Sequence, residues 1–376
     1  MSKRVLMHSQ SLLGVGHERR TQLIANALAA RGLDTHIALG GPSALGLSTL
    51  AHTHHLPTLR AADAAFSGLV DDTGAAVDDA YRDRRQQALA ALFDTLAPDA
   101  LLLELFPFGR RMLRFELLPL LEQAASAGCT VVCSLRDILV AKAGDRAAEK
   151  RQWAVDLVKR QFDAVLVHGD PDFVPLESSF QEAAQLASQL RYTGLVAPAP
   201  RVPPTDRRGV LVSAGGGAVG APLLDTALAA AKTAADATQP WTLVAGPHCP
   251  DGAFERLSAV NHPHITVLRS HPNLVELMAT HAASVSQAGY NTVCDLLVTR
   301  TPSVLVPFAT QTETEQQLRA DRLASHTAFA SVESESLTEA RLLQAVSEVM
   351  QPGDWPTFDL DGASVSAEQL CCLLES

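Results

Sequence analysis

Ser286-Gln-Ala-Gly-Tyr-Asn-Thr-Val-Cys-Asp-Leu-Leu297 follows one apolar run, His281-Ala-Ala-Ser-Val-Ser286, and precedes another, Pro302-Ser-Val-Leu-Val-Pro307. The order reads strand, glycine turn, helix, strand. Gly289 is expected to supply the backbone freedom of a tight strand-to-helix turn, and Asn291 to act as the N-cap. Free N–H groups at such a helix start, with the positive end of the helix dipole, suit a phosphate. Asp295, one turn in, is within reach of a sugar hydroxyl beside that phosphate. An ordinary turn and cap in any parallel α/β domain reads the same way, so the stretch alone does not decide between them.

Two further loops share the pattern. Gly209-Val-Leu-Val-Ser-Ala214 reads as a buried strand and runs into Gly215-Gly216-Gly217-Ala-Val-Gly220, with a helical pattern from Ala221 to about Asp236. Glycines there let backbone N–H groups approach a ligand where a Cβ would clash. Near the amino terminus, Arg4-Val-Leu-Met-His8 reads as a strand, followed by Gly14-Val-Gly16-His17 and a helix over about Glu18–Ala30. Leu23, Ile24, Ala27 and Leu28 recur at helical spacing. Gly32 ends that helix and Asp34–Leu39 is the next strand. Gly14 and Gly16 lack the third glycine of the dinucleotide-binding fingerprint, and His17 stands at the mouth of the helix instead.

Strand candidates lie near 5–8, 35–39, 100–104, 129–134 and 164–168, and again near 209–213, 241–245, 265–268, 282–286 and 303–307. Helical patterns separate most of them, which predicts an α/β fold with a doubly wound parallel sheet in each half. Val196-Ala-Pro-Ala-Pro-Arg-Val-Pro-Pro-Thr205 reads as a semi-rigid linker. The domain boundaries follow: an amino-terminal domain over 1–196, a linker over 197–208, a carboxy-terminal domain over 209–360, and a last helix over 361–376. The capping-box pattern Ser366-Ala-Glu-Gln369 is expected to start that helix. Ligands of such sheets collect beyond the carboxyl ends of the strands, where all three glycine loops fall.

The 376 residues are 47% apolar and 19% charged, as in a packed globular protein of two domains. A net charge of −11 argues against a nucleic-acid partner, which needs a basic face. The sequence has no 18-residue apolar run for a membrane span, and Met1-Ser-Lys-Arg-Val enters a strand rather than a signal-peptide core. The six cysteines form no CxxC pair, so reduced thiols in the cytoplasm is the expectation. Asp71-Asp72, Asp78-Asp79 and the cluster His52, His54, His55 read as solvated surface rather than metal ligands.

Taken together, these motifs resemble the GT-B-fold glycosyltransferases, in particular the group related to the bacterial lipid II-forming N-acetylglucosaminyltransferase. In that family a glycine loop ending in His opens the first domain, as Gly14-Val-Gly16-His17 does. A Ser-x-x-Gly-x-x-Thr-x-x-Glu signature, a Leu-x-Val-Pro strand and a Gln-rich helix start mark the second; here these are Ser286 to Asp295, Leu305-Val-Pro307-Phe308 and Glu315-Gln316-Gln317. Asp295 departs from the family's usual Glu. A subgroup of glycosyltransferase-like sequences also shares Leu105-Phe-Pro-Phe-Gly-Arg-Arg111 and Ser134-Leu-Arg-Asp137.

The resemblance implies two Rossmann-like domains facing across a cleft, with a donor side at Gly215, Gly216, Gly217, Ser270, His271, Gln287, Ala288, Gly289, Tyr290, Asn291, Thr292, Asp295, Glu315 and either Gln316 or Gln317. It implies an inverting transfer from a nucleotide diphosphate sugar, expected to be a UDP-sugar, to a hydroxyl of a small-molecule, lipid-linked or glycan acceptor. No metal or other cofactor is expected, with His17 as general base. A hydrolase of the same fold and a non-catalytic sugar-nucleotide binder are the alternatives.

The acceptor side is expected at Gly14, Gly16, Arg20, Glu104, Phe106, Arg110, Arg136 and Asp137. An Arg pair there can hold a carboxylate or phosphate, or can form Arg–Glu and Arg–Asp structural pairs at strand ends; the residues leave both open. The apolar residues around Arg110, Arg111 and Arg114 read as core, with peripheral membrane docking as the alternative.

Overall fold

Runs of Val, Leu, Ile and Ala that are buried on both faces build two all-parallel sheets, the pattern expected when helices cover both sides. The computed structural model describes residues 2–12, 16–41, 49–62, 68–140, 146–202, 204–217, 220–310 and 314–375. The chain divides into two units. One comprises Met1–Leu139, Ala143–Ala197 and Asp359–Ser376; the main body of the other is Pro198–Phe358. The linker and last-helix expectations placed the changes at 197–208 and 361.

The first unit holds seven parallel strands in the order His52–His55, Asp34–Leu39, Arg4–Ser9, Ala100–Glu104, Thr130–Arg136, Ala164–His168, Leu190–Tyr192. The second holds six, in the order Ile265–Leu268, Trp241–Val244, Val210–Ser213, Ala283–Ser286, Ser303–Leu305, Phe329–Ser331. In each sheet the chain winds outward from a central strand, then returns to that strand's other side. The points of reversal are Arg4–Ser9 beside Ala100–Glu104, and Val210–Ser213 beside Ala283–Ser286. The loops at a reversal diverge to opposite faces and leave a crevice for a ligand.

All ten strand candidates form strands. Three edge strands escaped the sequence reading: His52–His55, Leu190–Tyr192 and Phe329–Ser331. The histidine cluster therefore lies on an edge strand, where His36 stacks on His52 and His54 with centroids 4.9 and 5.2 Å away. Asp71 closes a surface turn through Thr73 and Ala75, and Asp78 caps the helix Asp79–Leu96.

The capping box is not a cap. The last helix runs Gly362–Glu375, so Ser366 lies inside it and its Oγ donates to Gly362 O at 2.5 Å. Ala367 and Leu370 join a core with Val5, Ile24 and Val196, all in the first unit. Among the described residues no helix is long and apolar enough to cross a membrane. Phe106, Phe108 and Leu113 are buried, and only Met112 of that group is exposed, so the apolar residues by Arg110 are core.

A buried ion pair ties the first unit together. Arg85, fully buried, donates Nε to Glu116 Oε2 at 2.5 Å and Nη2 to Gln10 Oε1 at 2.6 Å. Its Nη1 donates to Gly40 O at 3.1 Å and also to Pro57 O. Burial alone would raise the Glu116 pKa; His8 and Arg85 instead bring it below the usual carboxylate range. Removing one member leaves a buried charge unpaired. Arg85→Met should therefore destabilise the protein by about 3–5 kcal/mol in denaturant unfolding. The double variant Arg85→Met/Glu116→Leu should recover most of that loss. A single variant as stable as the unsubstituted protein would contradict this account.

Candidate functional site

The reversal point of the first sheet gathers a polar cluster in an apolar surround. Glu104 ends its strand and is 3% exposed. The helix Gly16–Ala30 leaves the loop after the first strand and presents His17 and, one turn later, Arg20 on one side. His17 Nδ1 lies 2.8 Å from Glu104 Oε1, and Arg20 Nη2 donates to the same oxygen. Two donors on one carboxylate oxygen fix the His17 tautomer: Nδ1 carries the proton and Nε2 keeps its lone pair.

The electrostatics agree. Burial is the largest influence on His17 and, with Arg110 and Arg20 nearby, lowers its pKa to about 4 despite the pull of Glu104. Burial would raise Glu104, but His17, Arg20 and Arg110 more than offset it and hold its pKa well below the usual range. At neutral pH the site thus contains an ionised carboxylate and a neutral imidazole. Next to it, His168 bonds Ser134 Oγ at 2.7 Å and Thr193 Oγ1 at 3.0 Å, and burial lowers its pKa to about 3.

Of the other expected acceptor-side residues, Arg110 is half-buried and donates Nε to Gln10 O at 3.1 Å. Arg136 ends the strand beside that of Glu104 and is half-buried. Asp137 is buried, receives Ile138 N at 2.9 Å and packs against Gly169. Gly16 is the first residue of its helix; Gly14 lies outside the described residues. Phe106 does not belong here. It is fully buried, edge-on to Trp153 in the core, because the turn after Glu104 folds it inward.

In the second unit the reversal point brings two loops side by side. Ser213 and Ser286 are register partners, so the glycine loop and the Gln287–Gly289 turn leave the sheet together. Gln287 Oε1 is the nearest atom, at 3.7 Å, to a Cβ built on Gly215. Gly215 and Gly216 are exposed; Gly217 is buried. Gly217 has φ +86°, and a Cβ there would lie 2.5 Å from Ala245 O, so it is a packing glycine. Gly216, with nothing nearer than His248 Cδ2 at 3.9 Å, leaves open backbone.

Gly289 and Asn291 differ from what the sequence suggests. Gly289 has φ −65°, an ordinary value, and is itself the N-cap of the helix Tyr290–Thr299. Asn291 is thus the second helical residue rather than the cap, because the strand ends at Ser286 and a three-residue turn, Gln287–Gly289, already leads into the helix at Tyr290. A Cβ at Gly289 would meet only Thr292 Oγ1 at 3.9 Å, so the glycine keeps the helix start open instead of permitting a strained turn.

Asn291 and Thr292 are half-buried or buried less deeply than Asp295, which is 3% exposed. Tyr290 is buried near Arg319, whose Nη1 donates to Ala288 O at 2.7 Å. Glu315 is buried at the start of Glu315–Leu323. Gln316 reaches back to accept from Phe308 N at 3.1 Å, while Gln317 donates to Asp321 at 2.7 Å. Ser270 and His271 follow the edge strand Ile265–Leu268, and His271 Nδ1 accepts from Asn273 N. Sequence reasoning missed Gln10, His168 and His248. His248 N donates to Gly216 O at 2.9 Å, beside the glycine loop.

Residues 211–358 match the glycosyltransferase family 28 C-terminal domain. Over 125 residues, 31% of this chain, the sequence is 30% identical to the UDP-N-acetylglucosamine--N-acetylmuramyl-(pentapeptide) pyrophosphoryl-undecaprenol N-acetylglucosamine transferase of Synechocystis sp., covering 34% of that protein. Across the curated relatives it matches, the chain spans only 18–35% of their length. Among solved structures, the glycotransferase of kitacinnamycin superposes with a TM-score of 0.63 at 14% identity, over 100% of this chain and 99% of that one. MurG of Acinetobacter baumannii gives 0.56 at 14% identity, over 99% of each. At such identities the likeness shows the fold, which is that of the GT-B glycosyltransferases.

The glycine geometry separates binding from folding. Gly217→Ala should cost about 1–2 kcal/mol from its left-handed backbone alone, and more from the clash with Ala245 O. Gly216→Ala should leave the thermal midpoint unchanged and weaken nucleotide binding. Equal losses of stability in both variants would contradict this division.

Proposed function

We propose that this chain, whose second unit carries a family 28 C-terminal domain, is an inverting, metal-independent glycosyltransferase that uses a nucleotide diphosphate sugar. The donor is taken to be a UDP-sugar, because the names of the curated relatives specify UDP-N-acetylglucosamine. The observation that carries the mechanism is the pairing of His17 Nδ1 with Glu104 at 2.8 Å, in a setting that keeps the imidazole neutral.

His17 Nε2 takes the proton of an acceptor hydroxyl. The oxygen attacks the anomeric carbon, and the nucleotide diphosphate leaves from the opposite face. Glu104 stabilises the imidazolium that forms and Arg20 holds Glu104 in place. The charge that develops on the departing diphosphate falls to the second unit. Its open backbone at Gly215 and Gly216 and the start of Tyr290–Thr299 offer N–H groups and a helix dipole. Asp295 and Gln316 are assigned to the ribose and the sugar, respectively.

His17→Ala should lower kcat roughly 10²–10⁴-fold and leave UDP affinity intact. Because the imidazole must be neutral to accept a proton and its pKa sits at about 4, kcat should be level above about pH 5 and fall as pH drops through 4. Near-normal turnover in the variant, or a rate that climbs through pH 6–7, would contradict the assignment.

Turnover should be unchanged in EDTA. Loss on chelation, restored by magnesium or manganese, would overturn the metal-independent reading.

A further inference from the structure

The two meanings left open for the strand-end arginines separate once Glu104 is located. Its Oε1 is taken by His17 and Arg20, so the structural partner of this carboxylate is Arg20. Arg110 is tied down elsewhere, through Nε to Gln10 O. Among the described residues its terminal nitrogens make no hydrogen bond. The residue is half-buried, and those nitrogens are not sealed in the core.

Its backbone is unusual as well. Arg110 has φ +54° and Leu105 φ +66°, so the turn after the strand holds two large side chains in the left-handed region. Such conformations persist where the surroundings over-determine them, and they gather at ligand sites. Arg136 ends the adjacent strand two residues past Ser134, the register partner of Glu104. The ionised groups that act on Arg110 are one carboxylate, Glu104, and two guanidiniums, Arg136 and Arg20. Guanidiniums do not shed their charge, and a planar fork matches carboxylate or phosphate oxygens.

We infer that Arg110, with Arg136 beside it, binds an anionic group of the acceptor, a carboxylate or phosphate carried close to the hydroxyl that reacts. The inference rests on the proposed transferase reading for the word acceptor; the anion site itself does not. Arg110 donates to Gln10 O, directly after the strand that leads to the His17 helix, so an anion held there lies on the same side of the sheet end as the proposed base.

The test is calorimetric titration of the full-chain protein, saturated with UDP so that the donor phosphate site is occupied. The probes are sn-glycerol 3-phosphate, lactate and, as the neutral control, glycerol. At least one anion should bind and glycerol should not. Arg110→Gln should weaken that binding roughly 10–100-fold, Arg110→Lys should weaken it less, and both should bind UDP as the unsubstituted protein does. Binding of glycerol phosphate alone assigns phosphorylated acceptors; binding of lactate alone assigns hydroxy acids. Binding of neither anion, or equal binding by Arg110→Gln, overturns the inference. If UDP fails to bind, the donor reading falls, and the same titration without UDP still decides on Arg110.

Discussion

A carboxylate that is 3% exposed at the end of a central strand stays ionised only if cations and donors converge on it, and Glu104 organises the first unit's site through that requirement. Arg20 arrives from the helix Gly16–Ala30, His17 from one turn before it, and Arg110 contributes charge from the turn after the strand. The desolvation of each charge is offset by the others, so none can be removed independently. The same constraint sets the chemistry. A buried anion on Nδ1 leaves Nε2 as the basic nitrogen, and burial keeps that nitrogen unprotonated at neutral pH.

A second charged network underlies this one. Arg85 and Glu116, both buried, reach Gln10 through the Arg85 guanidinium, and the Gln10 carbonyl in turn accepts from Arg110. Gln10, directly after the first strand, is thus held by Arg85 from the core side and by Arg110 from the side of the site. Polar networks of this kind specify one arrangement when every member is satisfied.

The central strands were legible because each is a short apolar run closed by a turn, which period and composition reveal. Three of the four edge strands of the two parallel sheets were not. His52–His55 is mostly exposed and polar, and Leu190–Tyr192 is half-buried throughout, so neither carries a hydrophobic signature; pairing with a neighbour decides them. At the site, His17, Arg20 and Glu104 could each be singled out by position after a strand, yet their convergence depends on Arg4–Ser9 lying beside Ala100–Glu104, a pairing across about a hundred residues. Phe106 was misplaced because a turn residue's direction is set by backbone angles that sequence does not display. Gly289 and Gly217 show the same limit: both close strands, but only the second has the positive φ that demands glycine. Gln10 and His168 carry no motif, and their roles arise from contacts alone.

The central claim is that burial, with Arg110 and Arg20 nearby, keeps His17 neutral against the pull of Glu104, while Glu104 holds its proton on Nδ1 and leaves the lone pair on Nε2. Nitrogen-15 and carbon-13 NMR of the His17 ring across pH reads both properties at once. The account predicts the Nδ1–H tautomer at neutral pH and a titration near pH 4. An Nε2–H tautomer, or a titration near the ordinary histidine value of about 6.5, would contradict it.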